Sequence, residues 1–149
     1  MNIYTKLFGE IEIDVNKVIN FDEGFIGFSE YKQYMLIHYC EESESKILWL
    51  QSIDEPELAL PVMNPLAIVE DYNPTIEDEL LKGIGELVEE PLVLTVLTVP
   101  QDITKMTANL KAPIVINANT LKGCQIIIED DKYLVKHPIY DIISRRDGE

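Results

Sequence analysis

A chain of 149 residues with 12 Lys+Arg against 27 Asp+Glu carries a formal net charge of −15 on a composition that is 46% apolar. That apolar share is too high for a disordered polyacid, and the length fits a single domain spanning 1–149 with its own core. The charge argues against free DNA or RNA as a direct ligand and against anionic membrane, since both recruit Lys and Arg; it favours a basic protein partner.

Ile and Val number 30 and fall in short runs bounded by turn residues, so the elements read mainly as β. Residues 10–15 alternate strictly, as a strand with one wet face does. An aromatic stretch follows, with Phe21, Phe25, Phe28, Tyr31 and Tyr34 around Gly24 and Gly27. Runs 33–40 and 46–53 predict a hairpin whose tip carries Glu41, Glu42 and Glu44. Strands are expected at 58–63 and 67–72. A helix then opens at Asn73-Pro74, with Ile76, Leu80, Leu81 and Ile84 on one face and Gly83 and Gly85 as its stop. Residues 92–99, apolar on both faces, predict a central strand; 113–117, 123–129 and 133–135 complete the set. Pro138 opens a second short helix with Ile139, Ile142 and Ile143 on one side, and Arg145 and Arg146 at its end. Strands at this spacing without long helices give a barrel-like antiparallel β fold, or a sandwich, with one or two short helices.

Chemistry is harder to find. His38 lies in an apolar strand run and His137 precedes a proline, and neither has a second ligand at metal spacing. The two cysteines, Cys40 and Cys124, form no CxxC and read as small buried hydrophobes. No zinc-protease, nucleophile-elbow or phosphate-loop motif is present. The acid clusters at Asp54-Glu55-x-Glu57, Glu77-Asp78-Glu79 and Glu129-Asp130-Asp131 abut turns or helix starts, where carboxylates belong structurally. Gly24 and Gly27 form a GxxG preceded by Asp22 and Glu23, not by the basic flanks an RNA-gripping loop needs, so they read as turn glycines. The expectation is a non-enzymatic binding protein with no catalytic residue, metal or cofactor. The N-terminus shows no signal-peptide pattern and no apolar run reaches a membrane span, so the default expectation is a cytoplasmic chain.

The charge is concentrated. Residues 1–40 carry a net of −3, residues 41–90 a net of −12, and residues 91–149 balance to zero. A solvated face keeps a protein soluble, but such a face usually mixes both signs. The acids expected to act on a partner are Glu41, Glu42, Glu44, Asp54, Glu55, Glu57, Glu70, Asp71, Glu77, Asp78 and Glu79. Phe25, Tyr31 and Tyr34 are candidate contacts too, although the same aromatics would serve equally well in a core.

Three phrases are more specific than any general motif. They are Phe21-Asp22-Glu23-Gly24-Phe25-Ile26-Gly27-Phe28, Leu48-Trp49-Leu50-Gln51-Ser52, and Asn109-Leu110-Lys111-Ala112-Pro113-Ile114-Val115-Ile116-Asn117 followed by Gly123-Cys124-Gln125. In this order they closely resemble the bacterial flagellar assembly factor (FliW) family, over nearly the whole chain to about Val135. The motif positions are Phe21, Gly24, Gly27, Phe28, Leu50, Gln51, Ser52, Asn109, Leu110, Ala112, Pro113 and Gln125; Ile26 stands where a proline often falls. The resemblance implies a barrel-like β fold, no catalytic residues and two protein partners. One is flagellin, held in the cytoplasm before export. The other is the carbon storage regulator CsrA, which represses flagellin translation and is antagonised from a site beside its RNA-binding surface once flagellin leaves. A −12 segment beside the RNA path would repel phosphates there, within about 8 Å of screening. Flagellin's amphipathic ends call for an apolar groove, for which 21–34 and the apolar face of the 76–84 helix are the candidates. The competing readings are a general acidic nucleic-acid mimic and, behind it, a small enzyme with no recognisable motif.

Overall fold

A computed structural model describes residues 2–37, 47–74, 76 and 78–141. Its strands are β1 (Asn2–Thr5), β2 (Gly9–Glu12), β3 (Val18–Asn20), β4 (Gln33–Ile37), β5 (Leu48–Ser52), β6 (Ala59–Met63), β7 (Leu92–Thr98), β8 (Thr107–Ala108), β9 (Ile114–Asn117), β10 (Lys122–Gln125) and β11 (His137–Pro138). Seven of them close a barrel in the order β3-β4-β5-β6-β7-β9-β10 and back to β3. All neighbours are antiparallel except the seam between β10 and β3, a parallel contact with Lys122 opposite Asn20. The Asn20 amide reinforces it, donating to the Leu121 carbonyl at 2.9 Å. Strand β7 is central, as its two apolar faces predict. One edge meets β6, and the other meets β9 through Leu92–Leu94 and β8 through Leu97 and Thr98.

The two-residue period sorts the side chains. Ile19, Tyr34, Leu50, Val62, Leu94, Ile114 and Ile116 fill the interior together with Phe21 and Phe25. Their neighbours in sequence face outward into two further cores. Val115 packs with Tyr72, Ile84, Leu110, Ile126, Ile128 and Tyr133, and Met63 and Leu97 pack with Met106, Ala108 and Ile139. The ribbon of β1 and β2 lies against the barrel wall, where Phe8 meets Trp49 edge-on at 6.1 Å. No helix among the described residues is long and apolar enough to cross a membrane.

Four local expectations change. The 67–72 strand is absent: Asn64 caps a 3-10 turn at Pro65–Ala67, its Oδ1 accepting from Leu66 N at 2.9 Å. Proline at a helical first position was the stronger signal there. The 74–84 helix is a 3-10 helix over Asp78–Ile84. Asn117 and Thr120 seize its last carbonyl at Ile84, and Gly85 at φ 87° ends it, so the segment is pulled tight against β9 and β10. Residues 133–135 form a turn in which Tyr133 is buried and its hydroxyl accepts from Asn73 N at 3.0 Å. His137–Pro138 is a strand against β8, and the helical conformation expected from Pro138 begins at Tyr140, with Asp141 following. The hairpin tip with Glu41, Glu42 and Glu44 lies outside the described residues, as do His38, Cys40, Glu77, Ile142, Ile143, Arg145 and Arg146.

Tyr34 is wholly buried in the barrel, and its hydroxyl has no partner among the described residues. Burial, and after it Asp54, pushes its phenol from 10.0 up to about 12. An unfolded tyrosine loses its proton first, so this contribution to stability is complete below about pH 10 and is lost as the pH rises toward about 12. Tyr72, also raised by burial and then by Tyr133, adds to the same alkaline loss. Tyr34→Phe should therefore make the loss shallower between these pH values. At pH 7 it should leave the urea midpoint unchanged or raise it, since a buried unpaired hydroxyl is removed. A lower midpoint at pH 7 would show that the hydroxyl has a partner.

Candidate docking surface

The motif phrases turn out to be the joints of the barrel. Phe21 lies against Phe25 at 4.4 Å and edge-on to Tyr34 at 5.5 Å. Gly24, at φ 66°, has no room for a side chain, because a Cβ there would stand 2.6 Å from the Ser29 backbone. Gly24 N donates to Phe21 O and Phe28 N to Phe25 O, both at 2.8 Å, so the glycine phrase is two successive turns, with Gly27 exposed at φ 90°.

The buried Gln51 Nε2 donates to the carbonyls of Ser52, Pro56 and Leu58 at 2.9, 3.1 and 3.0 Å. Ser52 Oγ accepts from Glu55 N in the same turn. Asn109 Oδ1 accepts from Lys111 N and Ala112 N at 3.1 Å each, shaping the bend into the buried Pro113. Leu110, fully buried, offers its carbonyl to Tyr72 at 2.7 Å. Gln125 then joins two phrases: its Oε1 accepts from Ile26 N at 2.9 Å and its Nε2 donates to Ala112 O at 3.1 Å. Most buried polar groups find partners, and each of these bonds fixes a loop; Gln51 Oε1 has no partner among the described residues.

The acids lie outside this frame. Asp54, Glu55 and Glu57 share the turn between β5 and β6. Asp54 has a structural duty, accepting from Lys32 N and Gln33 N at 2.8 and 3.1 Å, and Glu55 Oε1 accepts from Glu57 N at 3.2 Å. Glu57, Glu70, Asp71 and Glu79 are exposed. Among the described residues the ion pairs are Lys111–Asp131 and Lys122–Asp22, and neither uses an acid of the middle third. Beside this turn, Tyr31 is half-buried and its phenol is raised by Glu30, then by burial and by Glu55.

Of the aromatic stretch, Phe21, Phe25 and Tyr34 are buried in the interior. Phe28 and Ile26 are exposed, and they line an apolar hollow of about 180 Å³ with Leu60, Val96 and Val135. The apolar face of the 3-10 helix is spent on the core, where Leu81 and Ile84 pack with Val115.

A larger groove of about 580 Å³ runs between the 22–29 loop and the 3-10 helix, with β10 beneath. Asp22, Glu23 and Glu79 stand on its walls, and Phe25, Ile84 and Cys124 contribute its lining below. Burial raises the Cys124 thiol, and Glu23, exposed on the same groove, raises it further. Sequence reading did not assemble this groove. It took Cys124 for a small buried hydrophobe and Glu23 only for an acidic flank of the turn glycines.

The FliW protein family model matches residues 2–139. The chain is 50% identical to the flagellar assembly factor FliW of Lachnospira eligens, over 99% of this chain and 100% of that one. It is 47% identical to the flagellar assembly factor FliW of Lachnoclostridium phytofermentans, over 100% and 99%. The crystal structure of a flagellar assembly factor FliW superposes with a TM-score of 0.83 at 31% identity, covering 93% of this chain and 96% of that one.

Proposed function

The chain belongs to the FliW family, and on that premise we propose that it is a non-enzymatic cytoplasmic regulator, a single domain that binds flagellin and the translational regulator CsrA in alternation. Free flagellin occupies it. Export of flagellin releases it to the regulator, and translation of the flagellin message resumes. The observation that carries this reading is the match to flagellar assembly factors over the whole chain.

The surface chemistry is consistent with both partners. Exposed Glu57, Glu70, Asp71 and Glu79, which form no ion pair among the described residues, suit a regulator that must be positive to hold RNA. The hollow beside Ile26, Phe28 and Val135 suits an apolar anchor from a flagellin end.

The test is a binding experiment with purified flagellin and purified regulator, separately and in competition. Each should bind alone, and flagellin should displace the regulator. Binding to neither partner would overturn the reading. Equal, steeply salt-dependent binding to unrelated basic proteins would support the general acidic mimic instead.

A further inference from the structure

We infer that the groove between the 22–29 loop and the 3-10 helix Asp78–Ile84 is the seat of a lysine or arginine side chain from the regulator, clamped between Glu23 and Glu79. This rests on the reading of the chain as a regulator-binding protein and assigns a specific contact within it. A basic partner presents two kinds of surface to an acidic one: charge that is felt at a distance, and side chains long enough to enter a cleft. The groove is built for the second. At about 580 Å³ it holds a side chain and its immediate neighbour. Ile26 and Cys124 offer apolar lining for the methylene stem, and carboxylates from two separate elements meet the cationic head.

The charge balance within the groove favours a cation. Asp22 has Lys122 at 4.0 Å, whereas Glu23 and Glu79 have no cation within ion-pair distance among the described residues. Lys82 follows on the same helix but does not line the groove. Space is available as well: Gly83 is part of the lining, and a Cβ placed on it meets no atom within 4 Å. A pair held in a cleft is screened less than the surrounding surface field, so this contact should persist at salt concentrations that suppress general attraction.

The experiment titrates purified regulator into the full chain and three variants. Glu23→Gln with Glu79→Gln removes the clamp. Glu89→Gln with Glu90→Gln, both exposed and outside the groove, removes the same charge elsewhere. Gly83→Leu, on a helical backbone with open space around it, fills the groove and leaves the charge untouched. The clamp pair and Gly83→Leu should each weaken binding about thirtyfold, the scale of a lost interface anchor. The off-groove pair should weaken it less than about threefold, and flagellin binding should hold in all three. Equal losses for the two acid pairs, or an unchanged affinity for a folded Gly83→Leu, would overturn the groove and leave the regulator reading standing. Failure of the unaltered chain to bind the regulator would overturn both.

Discussion

Replacing Gly123 with alanine should cost about 3 kcal/mol, and replacing it with valine should leave little folded protein. Gly123 sits in β10 opposite Ile116, and a Cβ there would stand 2.3 Å from Cε1 of Phe21 and 2.8 Å from its Cζ. Those are overlaps, not contacts. The ring cannot retreat, because Phe21 is wholly buried with Phe25 and Tyr34 against it. The seam makes the damage worse. Strands β10 and β3 share only the parallel pair Lys122–Asn20, so the barrel closes at its weakest ladder one residue away. A double-mutant cycle with Phe21→Leu checks the cause. The smaller side chain should be destabilising alone yet recover part of the alanine's cost, leaving a coupling of about 1–2 kcal/mol in urea unfolding. Strict additivity would mean that the glycine is needed for some other reason than the ring.

That contact also marks where sequence reading stops. Strands of five or more residues, such as Gln33–Ile37, Leu48–Ser52 and Leu92–Thr98, are legible because each is a continuous apolar run bounded by turn residues. Val18–Asn20 is too short to show a period, and its parallel partner lies about a hundred residues away. Nothing local announces such a seam. Without it the 22–29 loop has no fixed relation to β10 or to the 3-10 helix, and so Glu23, Cys124 and Glu79 could not be placed in one groove. The phrases built on Gln51, Asn109 and Gln125 were legible for the opposite reason. A buried amide needs several partners at fixed positions, so it occurs in a distinctive setting. Those phrases identify the fold, while the exposed acids and the groove carry the proposed binding.

On the proposed regulator-binding function, reversing Glu57, Glu70 and Asp71 to lysine should cut antagonism of RNA binding about tenfold while the protein complex still forms. Each reversal adds two charges, taking the formal net from −15 to −9. An exposed carboxylate about 8 Å from a phosphate repels it by only about 0.2–0.5 kcal/mol in water. Several acids facing several phosphates reach about 1–2 kcal/mol, which is roughly a factor of ten in RNA affinity. These three residues are exposed, form no ion pair among the described residues and lie outside the groove, so their reversal separates the field from the anchor. The measurement is RNA binding by the regulator at fixed ionic strength, with saturating wild-type or reversed chain. Fixed salt is essential because the regulator's own grip on phosphates weakens as salt is added. Recovery of RNA binding with the complex intact assigns the antagonism to charge acting across a gap. Full antagonism by the reversed chain would mean that the RNA is displaced by contact, and the concentration of acid in residues 41–90 would then need another purpose.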